Sequence, residues 1–188
     1  MKRWLRHDIA KKGTSLILSD SDVSDSQIAE LGSLSHLGGL YLDRTSVTNK
    51  GLVSLKNLDG LVALGLRHTG VTELPLLSHM KQLESLDVSF TKISTIDLTG
   101  LESLQSLELR ATMISDETVA AFPSLAELLH LDISGMAGRE PKVSDKGIRT
   151  ITKENFPKLK NLYIYDCDIS NQELSRLKVE FPKLKVMR

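Results

Sequence analysis

Aliphatic residues fall in one recurring pattern along this chain, apolar-x-x-Leu-x-x-Leu-x-apolar, clearest at Leu101, Leu104, Leu107 and Leu109. The phrase begins at Leu34, Leu58, Met80, Leu101, Leu125, Phe156 and Phe181, in steps of 24, 22, 21, 24, 31 and 25 residues. Self-similarity at a period of roughly 20–50 residues is the mark of a solenoid, in which each repeat buries its flank against the next. The phrase ends in alternation: Leu40-Tyr-Leu42, Leu64-Gly-Leu66, Leu86-Asp-Val88, Leu107-Glu-Leu109, Leu131-Asp-Ile133 and Leu162-Tyr-Ile164, with a degenerate Leu16-Ile-Leu18 ahead of them. Alternation predicts short strands, leucines inward and the residues between them outward. Seven strands follow. Residues 184–188 either add a minimal last strand, with Met187 as its first inward residue, or open a repeat that continues.

Three positions after each pair stands Ser21, Thr45, Thr69, Thr91, Thr112, Met136 or Cys167, and two further on Val23, Val47, Val71, Ile93, Ile114 or Ile169. A buried hydroxyl there is expected to bond to nearby backbone. A second phrase follows at Val23-Ser-Asp-Ser-Gln-Ile28, Val47-Thr-Asn-Lys-Gly-Leu52, Ile114-Ser-Asp-Glu-Thr-Val119, Val143-Ser-Asp-Lys-Gly-Ile148 and Ile169-Ser-Asn-Gln-Glu-Leu174. Ser, Thr, Asp and Asn favour helix N-caps, so these repeats are expected to return through short helices. Val71-Thr-Glu-Leu-Pro-Leu and Ile93-Ser-Thr-Ile-Asp-Leu lack the phrase, which predicts a 3₁₀ or irregular return. The step of 31 residues marks an insertion near 135–142, a loop by its Gly and Pro content. Residues 1–12, with Trp4, Leu5 and Ile9, are expected to form an amphipathic segment capping the domain that fills 13–188.

The unit resembles the leucine-rich repeat family, Leu-x-x-Leu-x-Leu-x-x-Asn/Cys-x-Leu, with Thr mostly replacing Asn. The capping phrases are similar to the ribonuclease-inhibitor-like and F-box-associated branch and to related bacterial repeats. The resemblance implies an α/β leucine-rich-repeat solenoid: a curved parallel sheet on the concave face, short helices or 3₁₀ turns on the convex face. It also implies adaptor, receptor, inhibitor or scaffold roles rather than catalysis.

Composition narrows the function. Lys+Arg and Asp+Glu both number 24, so neither nucleic acid nor a membrane surface is an expected partner. Residues 1–12 lack the apolar run of a secretory signal, and one cysteine, Cys167, allows no intrachain disulfide. The expected setting is intracellular and reducing, the cytoplasm. The five histidines have no zinc spacing, no phosphate loop occurs, and neither metal nor cofactor is expected.

The outward positions are the candidate surface. The middle column reads Ile17, Tyr41, Gly65, Asp87, Glu108, Asp132 and Tyr163, and the next Ser19, Asp43, Arg67, Ser89, Arg110, Ser134 and Tyr165. Arg44, His68 and Phe90 follow at the strand ends. An acidic row, flanked by arginines and by aromatic side chains scarce elsewhere, suits a protein partner on the concave face. The expected binding residues are Tyr41, Asp43, Arg44, Arg67, His68, Asp87, Phe90, Glu108, Arg110, Asp132, Tyr163 and Tyr165. Such a module would be a monomer or an edge-mediated dimer. The alternative is an assembly subunit engaged through its C-terminal strand edge. A third reading, a hydrolase using Ser89, His68 and Asp43, lacks any strained nucleophile turn or oxyanion loop.

Overall fold

The structure, a computed structural model, describes residues 14–75, 77–137 and 142–188. The expected N-terminal capping segment and the centre of the insertion lie outside the described residues. Eight strands form one parallel sheet in chain order: β1 (Thr14–Ile17), β2 (Leu37–Tyr41), β3 (Ala63–Gly65), β4 (Ser85–Asp87), β5 (Ser106–Glu108), β6 (His130–Asp132), β7 (Asn161–Tyr163) and β8 (Lys185–Met187). Their register follows the leucines: Leu16, Leu40, Leu64, Leu86, Leu107, Leu131 and Leu162 sit side by side and end on Val186. All of these except Leu16 and Val186 are buried, and those two pack on the same core.

The eighth strand forms, but its register corrects the expectation for Met187. Val186, not Met187, pairs with Leu162 and points inward, and Met187 pairs with outward Tyr163. The cause is a missing residue: Leu159 stands three before Leu162, whereas Leu184 stands two before Val186.

Each capping phrase begins a helix: α1 (Asp25–Ile28), α2 (Asn49–Leu52), α3 (Asp116–Ala120), α4 (Asp145–Ile148) and α5 (Asn171–Glu180). The serine or threonine before each is the N-cap; Thr48 and Ser144 accept the Lys50 and Lys146 amides at 3.3 and 3.2 Å. The Asp or Asn after the cap reaches into the next repeat. Asp25 accepts the Thr48 amide at 2.8 Å and its hydroxyl at 2.6 Å, and Asn49 accepts the Thr72 amide at 2.8 Å. Asp116 grips Ser144 in the same way, and Asp145 the Ser170 amide. These links stop where the phrase stops. The return after Val71 is a 3₁₀ turn at Leu77–His79, and that after Ile93 is irregular.

α5, the longest helix among the described residues, is the last convex return before β8. Its Arg176 donates to the Ile148 and Ile151 carbonyls, at and just past the end of α4, and pairs with Glu173 and Glu180.

On the other side, the strands end in a turn whose hydroxyl folds back on its own chain. The hydroxyls of Ser21, Thr45, Thr69, Thr91 and Thr112 donate to the carbonyls of Leu18, Leu42, Leu66, Val88 and Leu109 at 2.5–2.7 Å. Bending back this sharply puts the preceding residue in left-handed backbone: Asp20, Arg44, His68, Phe90, Ala111 and Asp166 have φ between 52° and 60°. Met136 does not fill this role. It is 40% exposed, because the insertion changes the turn after β6.

Candidate functional site

Eight adjacent strands spaced by about 4.8 Å give the concave face a span on the order of 35 Å. Its middle column has apolar ends and an acidic centre. Ile17 is 72% exposed at one end, and half-buried Tyr163 and Met187 adjoin each other at the other. Tyr41 lies flat because Gly65 beside it has no side chain: a Cβ there would come within 3.0 Å of the Tyr41 ring and of Asp43. Asp43 accepts the Arg67 amide at 2.8 Å and the Ser19 hydroxyl at 3.2 Å.

The acidic row differs residue by residue. Asp87 and Asp132 each turn one oxygen back to the amide two residues on, Ser89 and Ser134, both at 2.8 Å. Asp132 is only 7% exposed, so it acts on a partner mainly through its field. Glu108 stands between them, with Ser106 donating to it at 3.1 Å. Burial raises its pKa above the ordinary carboxylate value, the Asp132 and Asp87 charges raise it further, and the Ser106 bond opposes them. Among the described residues no acidic or histidine cluster is arranged to hold a metal ion.

The arginines do not neutralise this row. Among the described residues no ion pair joins Arg67 or Arg110 to Asp87, Glu108 or Asp132. The Arg67 guanidinium carbon lies 4.8 Å from the centre of the Phe90 ring, and that of Arg110 lies 5.7 Å from the Tyr165 ring. Arg44 pairs with Asp20, its second bond at 2.8 Å.

The twelve expected residues therefore divide. Tyr41, Asp43, Asp87, Glu108, Asp132 and Tyr163 lie on the concave face, where Arg67, Arg110 and Tyr165 form its border. Arg44, His68 and Phe90 stand on the left-handed turns at the rim, where His68 and Phe90 stack at 4.3 Å. Ile17 and Met187 join the concave face without having been among the twelve. Ile17 was visible in the column, whereas Met187 was hidden by the shortened last turn.

The hydrolytic trio does not assemble. Ser89 is 5% exposed, His68 stacks on Phe90, and Asp43 is engaged by Arg67 and Ser19. No hydrogen bond among the described residues connects their side chains. Cys167 occupies the turn position as a thiol donating to the Ile133 carbonyl at 3.4 Å, and burial pushes its pKa up to about 11.

A parallel sheet in chain order, inward leucines and capped convex returns together define a leucine-rich-repeat solenoid. An internalin from Listeria monocytogenes superposes over 92% of this chain with a TM-score of 0.71 and 21% identity, and the chain spans 46% of that structure. The leucine-rich-repeat ectodomain of a receptor kinase from Arabidopsis thaliana matches 84% of this chain and 72% of its own length, with a TM-score of 0.50 and 18% identity. No family model and no curated protein matches the sequence. Among the described residues no helix is long and apolar enough to cross a membrane.

Proposed function

We propose that this chain is a non-catalytic recognition module whose concave face takes a segment of a partner protein with a basic centre and apolar ends. One observation carries this reading: among the described residues the acidic row of Asp87, Glu108 and Asp132 has no ion-pair partner, its neighbouring arginines lying over aromatic rings. An uncompensated acidic centre between Ile17–Tyr41 and Tyr163–Met187 favours a cationic segment with apolar flanks. Strand-borne side chains are held before binding, so little conformational entropy is lost on docking. The helical returns α1–α5 support the ribonuclease-inhibitor-like branch. The lone thiol Cys167 supports an intracellular setting, and the acidic face argues against nucleic acid.

Affinity capture with three baits tests the reading: wild type, Asp87→Lys/Glu108→Lys, and the convex-face variant Lys158→Glu. A specific partner should be retained by wild type and Lys158→Glu, lost from the double variant, and weakened by added salt. Identical partners on all three baits would refute concave-face binding.

A second reading, assembly through β8, is favoured by the outer edge of that strand, which pairs with no strand among the described residues. Light scattering over a range of concentrations would show a dimer, and Val186→Pro should abolish it.

A further inference from the structure

A separate surface lies on the rim where β3 to β6 end. Its centre is backbone geometry that the side chains there do not favour. Asp20 and Asp166 suit left-handed turns, because a short polar side chain can bond locally. Phe90 and Ala111 occupy the same geometry, at φ 60° and 55°, without that benefit. The turn nevertheless places the Phe90 ring half-exposed at the rim, fixed by the stacked His68 ring at 4.3 Å and by the Arg67 guanidinium at 4.8 Å.

Phe90, Ala111, Met113 and Met136 form the apolar lining of an open groove of about 670 Å³, bordered by His68 and Lys92. Among the described residues no acidic side chain lines it. Lys92 is exposed and has no ion-pair partner among the described residues, and the Lys142 Nζ comes within 3.8 Å of Met113 Sδ on the neighbouring wall. The groove is thus apolar with basic borders, whereas the concave face beside it is acidic.

We propose that this groove docks a short extended segment of a partner protein in which an apolar side chain is flanked by acidic residues. Methionine walls adapt to aliphatic or aromatic anchors, and half-exposed Phe90 is held in place before binding. Lys92 and Lys142 supply the complementary charge. The row of Asp87, Glu108 and Asp132 repels the same segment from the concave face, so the two surfaces sort ligands by charge. The proposal holds whatever binds the concave face.

Selection from a phage-displayed library of random dodecapeptides tests it, on wild type, on Lys92→Glu/Met113→Glu and on Asp87→Lys/Glu108→Lys. Peptides with an apolar residue between Asp or Glu residues should be enriched on wild type and on the concave variant. Fluorescence anisotropy should show them binding the groove variant at least about tenfold more weakly. Enrichment of no such peptides, or binding to the groove variant within about twofold of wild type, overturns the proposal. Circular dichroism melts establish that each variant is folded; exposed Met136→Asp is the replacement should the double groove variant unfold, with the same expected loss. Light scattering identifies the rival occupant. A wild-type dimer that Met136→Asp converts to a monomer makes the groove a seat for a second copy and overturns the peptide assignment.

Discussion

Asp116 holds Ser144 at two points: one carboxylate oxygen accepts the Ser144 amide at 2.8 Å and the other accepts its hydroxyl at 2.6 Å. The same carboxylate accepts the Gly147 amide at 2.9 Å, and the Asp116 amide donates to the Lys142 carbonyl at 3.2 Å. One side chain thus fixes where the chain re-enters the solenoid after its longest repeat, and starts α4.

Asp116→Ala strips the partner from two amides and a hydroxyl. We expect a loss of about 2–3 kcal/mol in urea unfolding, since bonds to a charged acceptor are the stronger class. Asp145 does the corresponding work one repeat later on Ser170 alone, through a solvent-exposed bond and without reaching an amide further along the helix, so Asp145→Ala should cost clearly less. Equal losses in the two variants would mean that the number of bonds is not what sets the stability here.

The glycine four residues into two of the capping phrases has the same origin. A Cβ on Gly147 would lie 2.6 Å from the Asp116 carboxylate, and one on Gly51 would lie 2.5 Å from that of Asp25. Where the preceding carboxylate grips only the cap residue, as Asp145 does Ser170, the position holds a large residue, Glu173. Gly147→Ala should cost about 1–3 kcal/mol, because the carboxylate cannot move without losing three bonds. In the double variant Asp116→Ala/Gly147→Ala the two losses should add to less than their sum. Strict additivity would show that the clash lies elsewhere.

The inward leucines made the strands legible, since a residue that alternates and repeats must face the core, and the Ser-Asp and Thr-Asn phrases made the helices legible through capping chemistry. The register of β8 was not legible. The repeat phrase counts Met187 inward, and only the pairing of Val186 with Leu162 reveals the missing residue. Nor were the left-handed turns, because Arg44, Phe90 and Ala111 are not residues that announce such backbone. The direction of Arg67, over Phe90 and away from Asp87, is set by packing across repeats and leaves no trace in the spacing.

Cys167 should behave as an inert thiol. With its pKa pushed up to about 11 by burial, it carries at pH 8 about a hundredfold less thiolate than an ordinary cysteine. Ellman's reagent should react slowly with the native protein and rapidly once denaturant is added. A native rate matching that of a small-molecule thiol would show that the side chain is open to solvent.

Glu108 makes stability fall with pH in a direction opposite to that of a salt-bridged carboxylate. Burial and the adjoining Asp132 and Asp87 charges raise its folded pKa above the ordinary value of 4.5, so the folded state holds its proton more tightly than the unfolded state does. As pH rises from that ordinary value through the raised one, the unfolded chain releases the proton first, and this group's contribution to stability falls. Glu108→Gln removes the charge and keeps a hydrogen-bonding partner for Ser106. The variant should melt at a higher temperature than wild type at pH 7, and the difference should vanish below pH 4, where both are neutral. A melting temperature at pH 7 equal to or below that of wild type would mean that the acidic row is already compensated. An uncompensated row has a consequence for binding, because a lysine or arginine placed beside Glu108 expels the retained proton. The affinity of such a partner should therefore rise with pH across the same window, and fixing position 108 as Gln should flatten that rise.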